Sequence, residues 1–367
     1  MGLYDSPARI LRPEIESGRR VLVISDIHAN LPYFKALLKQ VGFCGDDLLI
    51  LDGDFLEKGS ESLKTLRFIM ELHRRGNVLP VMGNCDDWSA IFSEQSRWAH
   101  NVLHYMRWRR SGLLWDMALE LGDDPASLTD FEDFKTRLGR AFPEEFAFLS
   151  SLPQAIETER YIFAHAAVYP DRPLDAHRVG ELLRCDAFYE LGYRFDKWVV
   201  VGHYPVVLYG RDIVCANPII DRDRHIASID GGCVLKDDGQ LNCLIIPDIR
   251  SEEPGFAAYD PFPERTVLED QAGSSRSYYI RWGDNRVQVL ERGPEFSRCR
   301  HVRTGYEMDI LTRYLFTLEE LTDCNDCTDY VLPLCAGDRV RVVEESSRGY
   351  FVKHDGVSGW YRGALGD

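Results

Sequence analysis

Six side chains that can bind metal stand at the ends of five short apolar runs. Asp26 and His28 follow the run 21–25, and Asp54 follows 48–51. Asn84 follows 78–82, His165 follows 161–164, and His203 follows 198–202. Together these residues offer hard carboxylate and amide oxygens and borderline imidazole nitrogens. Such a set suits Mn, Fe, Zn, Co or Ni better than calcium. Two such ions ~3.5–4 Å apart generate a strong nucleophile at neutral pH and neutralise the oxygens of a phosphoryl group. Asp54, central in the order, is expected to bridge the ions. Asp26 and His28 then complete one ion, and Asn84, His165 and His203 complete the other.

The elements that must position them can be read from the same runs. Strands buried on both faces of a parallel-type sheet appear as short continuous apolar stretches, and such sheets bind ligands at their strand ends. After His28, Asn30 and Pro32 are helix-start residues, and Leu31, Phe34, Leu37, Leu38 and Val41 share a helical face. Leu63, Leu66, Ile69, Met70 and His73 repeat that period. Strand, helix, strand, helix, strand over 21–82 predicts βαβ crossovers and an α/β domain.

The strand signal stops after Asp86 and returns at 160. The interval 87–155 is expected to be a helical insertion, either a cap beside the strand ends or a packing subdomain that does not touch substrate. The segment 227–246, with two apolar arms around Asp237-Asp238-Gly239, is expected to be a hairpin. The catalytic domain is thus expected over 1–250, with 251–276, rich in Glu, Pro, Gly and Ser, as a linker. Short glycine-punctuated strands over 277–367 predict a small β-barrel.

The chain has 367 residues, 45% of them hydrophobic, and a formal net charge of -16. That charge argues against nucleic acid or an anionic membrane as a standing partner. It leaves room for a small phosphorylated substrate, because bound cations reverse the local field. No run approaches the ~20 apolar residues that a membrane span needs, and the start lacks a secretory pattern. A cytoplasmic location is expected. The ten cysteines are scattered, and Cys324-Asn325-Asp326-Cys327 is a lone CxxC, readable as part of a zinc site or as a redox pair.

Taken together, Asp26-Ile27-His28, Gly53-Asp54-Phe55-Leu56-Glu57-Lys58-Gly59, Gly83-Asn84-Cys85-Asp86, His165 and Gly202-His203-Tyr204-Pro205 resemble the calcineurin-like metallophosphoesterase superfamily. Its usual motifs read DxH, GDxxDRG, GNH(D/E), H and GHxP or GHxH. Pro205 makes the chain more similar to the branch of Ser/Thr phosphoprotein phosphatases and diadenosine tetraphosphatases. Ile229-Asp230-Gly231-Gly232-Cys233 resembles the IDxGC segment of bacterial members. The resemblance covers roughly residues 20–247 outside the insertion. It implies a four-layer α/β-β/α sandwich with a dinuclear centre at the strand ends. A hydroxide bridging the ions would attack phosphorus in line. The metal ligands would be Asp26, His28, Asp54, Asn84, His165 and His203, with manganese the first expectation, and Asp86 would orient a ligand or water. The segment 277–367, through Gly359-Trp360-Tyr361-Arg362-Gly363, is similar to bacterial SH3-like barrels, which implies a peptide or glycan ligand.

The chain departs from the pattern at three places. Cys85 replaces the histidine of the phosphoprotein phosphatases, and a thiol is a poor substitute for imidazole as general acid. Glu57-Lys58 replaces Asp-Arg, keeping the charges but losing arginine's bidentate grip on phosphate. His165-Ala166-Ala167 replaces His-Gly-Gly. The catalytic candidates are Asp54, Lys58, Asn84, Cys85 and Asp86. Lys58 and Asn84 are also candidates for substrate contact, with His104 and Arg107 of the insertion. His100 and Arg110 lie close to that pair in sequence. The first expectation for activity is a phosphomonoesterase of Ser/Thr phosphatase type. A diadenosine tetraphosphatase or nucleotide phosphodiesterase is the alternative, and a non-catalytic binding protein on the same fold is the third reading.

Overall fold

The computed structural model describes residues 3–92, 99–318 and 321–367, and the chain divides into two compact units. The first comprises Met1–Pro205, Pro218–Leu235 and Gly239–Asp260. Its five-stranded sheet has a parallel core of Val21–Ile24, Leu48–Asp52 and Val78–Val81. Leu241–Ile246 joins it antiparallel beside Val21–Ile24, and Gly255–Tyr259 forms the edge. The six-stranded sheet has Tyr161–Ala164, Trp198–Val201 and Ile226–Ser228 as its parallel core.

Strand alternation sorts the side chains into layers. Val21, Val23, Leu48 and Ile50 pack against Tyr161, Phe163, Trp198 and Val200, forming the core between the sheets. Leu22, Ile24, Leu49 and Leu51 face the other way, into the helices. Ile162, Val199 and Val201 of the second sheet face outward under Leu174, Leu182 and Phe188. Both faces of both sheets are therefore covered, which is why these strands read as unbroken apolar runs. The expected α/β sandwich with an all-β region following it is the architecture observed.

The first helix, α1 (Leu31–Gln40), starts where Asn30 Oδ1 accepts the Tyr33 backbone N–H at 3.3 Å. It buries Leu31, Phe34, Leu37 and Leu38, and α2 (Ser62–Arg74) buries Leu63, Leu66, Ile69 and Met70. The insertion contains α3 (Ala99–Arg109), α4 (Leu113–Glu120), α5 (Phe131–Ala141) and α6 (Pro143–Ser151). Val102, Met106, Leu114, Met117, Phe134 and Leu138 join the same apolar cluster as Leu22 and Phe34. The insertion is thus packed into the helix layer over a continuous core.

Two segments differ from the sequence reading. Residues 227–246 are not a hairpin: Ile226–Ser228 pairs with Trp198–Val201 in one sheet, while Leu241–Ile246 pairs with Val21–Ile24 in the other. Both arms are apolar because each is buried, and a turn between two apolar runs does not say that they pair. The stretch 251–276 contains the strands Gly255–Tyr259 and Glu264–Val267, the second paired with Arg339–Ser346. Its polar residues lie on exposed or edge positions, so it lacks the apolar signature of a strand.

The second unit comprises Val206–Asn217, Lys236–Asp238 and Pro261–Asp367. It is all-β apart from short 3-10 turns. A six-stranded antiparallel sheet includes Arg339–Ser346, Gly349–His354 and Val357–Tyr361, and a three-stranded one runs through Phe296–His301. Trp360 is half-buried, its Nε1 donating to the Thr328 carbonyl at 2.8 Å. The Cys324 and Cys327 sulfurs are 4.0 Å apart as free thiols. No helix among the described residues is long and apolar enough to cross a membrane.

Candidate metal centre and active site

The strands Val21–Ile24, Leu48–Asp52, Val78–Val81, Tyr161–Ala164 and Trp198–Val201 deliver Asp26/His28, Asp54, Asn84, His165 and His203 just beyond their last residues. The turns are sharp. Asp26, His28, Ala29, Asp54, Glu57, Lys58 and His203 all have positive φ, between 49° and 67°. Non-glycine residues rarely adopt this conformation, and its cost, about 1–3 kcal/mol each, is tolerated where surrounding contacts impose it. Here Asp26 N donates to Gly53 O and His28 N to Asp54 O, both at 3.0 Å, locking the two strand-end loops together.

Asp54 is buried and central. Its Oδ2 lies 4.0 Å from His28 Nε2 and its Oδ1 lies 3.3 Å from His165 Nε2. Two clusters share it: His28, Asp54 and Cys85, and Asp54, His165 and His203, each offering ligand atoms within 4.8 Å of one another. Asn84 Oδ1 is 3.3 Å from His165 Nε2, and Asp26 Oδ1 is 3.7 Å from His28 Nε2. The six predicted ligands therefore converge.

The imidazoles are oriented by backbone carbonyls. His28 Nδ1 faces Leu56 O at 3.4 Å and His165 Nδ1 faces Asp52 O at 3.0 Å. A ring nitrogen facing a carbonyl carries the proton, which leaves the Nε2 lone pair aimed at Asp54. Burial lowers His28 to about 4 and, with help from His165, His203 to about 3, so both are neutral at physiological pH. Burial pushes the Asp54 carboxyl up, but its placement beside the His165 and His28 rings and the Cys85 N–H outweighs that and holds it below its ordinary value, so it is ionised at physiological pH.

Lone pairs thus face carboxylate and amide oxygens, acceptor against acceptor. The buried Asp26 Oδ1 has no hydrogen-bond partner. Divalent cations resolve these conflicts, and the donor set fits them.

Asp86 holds the loops, its Oδ1 accepting from Leu56 N at 3.1 Å and its Oδ2 from Gly83 N at 2.9 Å. Cys85 N donates to Asp54 Oδ1 at 2.8 Å, and the thiol receives an Asn84 Nδ2 contact at 3.3 Å. Burial and then Asp54 push that thiol well above its ordinary value. Lys58 is half-buried, and its charge bears on both His28 and Cys85. His104 and Arg107 are exposed on α3, and the Arg107 guanidinium is engaged by the Ala126 and Leu128 carbonyls. The His100 side chain lies outside the described residues.

Two residues named in the sequence motifs are given no role there. Asp230 follows the strand Ile226–Ser228, is fully buried, and adds to the burial that raises the Asp26 carboxyl. It occupies a sixth strand end, a position the mistaken hairpin concealed. Glu57 is buried and accepts from Leu113 N at 2.7 Å, Tyr105 OH at 3.0 Å and Trp88 Nε1 at 3.1 Å. A Cβ at Gly112 would meet its carboxylate. This single side chain anchors the insertion to the loop that begins at Asp54.

Burial raises Glu57 to about 7 from an ordinary 4.5. Below pH 4.5 the carboxyl is protonated in folded and unfolded chains alike and imposes no penalty. As pH rises towards 7 the unfolded chain loses its proton more readily, so stability falls, by roughly 3 kcal/mol in total. Urea midpoints between pH 4.5 and 8 should show this component in the wild type and lose it in Glu57→Gln, whose amide oxygen can still accept from Leu113 N and Trp88 Nε1 while its NH2 donates to the Tyr105 oxygen. Glu57→Ala orphans all three groups and should cost about 3 kcal/mol at pH 7. Identical pH profiles for wild type and Glu57→Gln would refute the assignment.

A family model described as calcineurin-like phosphoesterase matches residues 19–215. Two symmetrical bis(5'-nucleosyl)-tetraphosphatases are similar over short stretches. That of Wigglesworthia glossinidia brevipalpis is 40% identical over 63 residues, 17% of this chain and 22% of that protein. That of Pectobacterium atrosepticum is 42% identical over 65 residues, again 17% and 22%. The chain thus spans about a fifth of the length of these curated relatives. Among solved structures, a Saccharomyces cerevisiae protein serine/threonine phosphatase with similarity to human phosphatase PP5 aligns with a TM-score of 0.41 and 11% identity, over 71% of this chain and 86% of that one.

Proposed function

Since the chain belongs to the calcineurin-like phosphoesterase family and is a phosphoester hydrolase, we propose that its substrates are nucleotides, cleaved at a phosphoanhydride or phosphodiester bond as in dinucleoside polyphosphates. The observation that carries this reading is Cys85. It stands beside Asp54 and Asn84, where a phosphomonoesterase acting on phosphoserine needs an imidazole to protonate a poor alkoxide leaving group. A positioned general acid contributes about 10²–10⁴-fold, and a thiol does not replace it. A nucleoside phosphate leaves without that help. Cys85 thus reverses the order in which the motifs alone placed phosphomonoesters and nucleotides, and the short matches to tetraphosphatases point the same way.

Asp26, His28 and Asp54 would hold one divalent ion, and Asp54, Asn84, His165 and His203 the other, with manganese the proposed metal. Such a pair supplies a nucleophile at neutral pH and neutralises phosphoryl charge. The protein's own residues do the rest. The Leu56 and Asp52 carbonyls fix the two imidazoles, and Asp86 fixes the loops that present Asp54 and Asn84. The Asn84 amide and the Lys58 ammonium are the donors for non-bridging phosphate oxygens.

The test is a rate comparison with excess manganese on diadenosine tetraphosphate, bis-p-nitrophenyl phosphate, p-nitrophenyl phosphate and a phosphoserine peptide. Diadenosine tetraphosphate should exceed the peptide in kcat/KM by about 10²-fold or more. Equal or faster peptide hydrolysis contradicts the nucleotide reading, and inertness towards all four favours a non-catalytic role.

A further inference from the structure

The insertion places a row of aromatic rings beside the loop that begins at Asp54. Trp88, two residues beyond Asp86, has its ring centroid 6.4 Å from that of Tyr105, and Tyr105 lies 6.3 Å from Trp108. Trp88 Nε1 and Tyr105 OH both bond to buried Glu57, so the inner end of the row is fixed to the active-site loop. Its outer end is open: Trp108 is 70% exposed.

Next to it, the Arg109 guanidinium lies 5.7 Å from the Trp108 ring centroid and donates to the Lys58 carbonyl at 3.0 Å. An exposed indole beside a guanidinium that is tied by one hydrogen bond to the Lys58 backbone matches a ligand with a flat aromatic part and a negative part. In a chain of net charge -16, local cations at this position are the complement of an anion.

We propose that Trp108 and Arg109 form a nucleobase platform, on which the base of the substrate stacks while its phosphates reach the metal centre. This rests on the nucleotide reading above and adds the residue that distinguishes a nucleotide from a bare phosphate ester. Aromatic faces stack on any base, and a cation over the ring strengthens the contact.

Kinetics of the full-length manganese-loaded protein test it with Trp108→Ala and Trp108→Phe. Trp108→Ala should raise KM for diadenosine tetraphosphate relative to KM for p-nitrophenyl phosphate by ~5–100-fold, and Trp108→Phe should recover most of the difference. A merely structural tryptophan would move both KM values alike, and that result, or no change in the ratio, overturns the platform. Calorimetric titration with AMP and with ribose 5-phosphate separates this from failure of the nucleotide reading. Even if diadenosine tetraphosphate is not hydrolysed, tighter binding of AMP in the wild type, lost in Trp108→Ala, supports the platform. Equal binding of the two ligands overturns it.

Discussion

Asp54→Ala should reduce kcat/KM by ~10³-fold or more, beyond the ~10–100-fold typical when an outer partner of a metal ligand is lost. The size follows from the position. One Asp54 oxygen faces His28 and the other faces His165, so the side chain belongs to both ligand clusters. Its removal disrupts both halves of the site, whereas His28→Ala or His203→Ala disrupts one. The fold should persist, because Asp54 sits beyond the end of Leu48–Asp52 and contributes nothing to the apolar clusters on either side of that strand. Steady-state rates on the preferred substrate, together with a near-wild-type circular dichroism spectrum, check this. A folded Asp54→Ala protein within ten-fold of wild type would refute the bridging role.

Gly83→Ala should cost activity out of proportion to the one methyl group added. A Cβ at Gly83 would be placed against Asp54 N and Asp54 Oδ1. The neighbours are a backbone nitrogen and a buried carboxylate oxygen that already accepts the Cys85 N–H at 2.8 Å, so neither can yield cheaply. Displacing a reacting group by about 1 Å costs on the order of 10²-fold. The expected loss in kcat/KM is therefore about 10²-fold, with a stability cost of roughly 1–3 kcal/mol from overpacking. Gly45→Ala is the control, since a Cβ there meets nothing within 4 Å and Gly45 does not have a positive φ. Equal activity of Gly83→Ala and Gly45→Ala would mean that the Asp54 loop is softer than its contacts imply.

The legible part of this protein was the set of buried strands and the polar residues at their ends. A strand covered on both faces is apolar along nearly all its length, so Val21–Ile24, Trp198–Val201 and the first four residues of Leu48–Asp52 were visible in the sequence as unbroken runs. A polar residue directly after such a run sits at a sheet end by geometry alone. That is why the positions of Asp26, Asp54, His165 and His203 could be read from the order of residues.

The parts that escaped reading had physical reasons too. Ile226–Ser228 and Leu241–Ile246 are each apolar for their own sheet, and local patterning cannot tell pairing from separate burial. Gly255–Tyr259 and Glu264–Val267 are edge or exposed strands whose side chains need not be apolar. The role of Glu57 depends on Trp88, Tyr105 and Leu113 returning to it from 31 to 56 residues away, a long-range match that a motif does not encode. The place of Cys85 beside His28 and Asp54 likewise became apparent only when the two loops were brought together.

Isothermal titration of the metal-free wild-type chain with manganese tests the account most directly. Two ions bound per chain, with Asp54→Ala losing both at the same concentrations, is the result expected of a carboxylate shared by two clusters. Binding of one ion or none by the wild type, or two ions still held by Asp54→Ala, would contradict it.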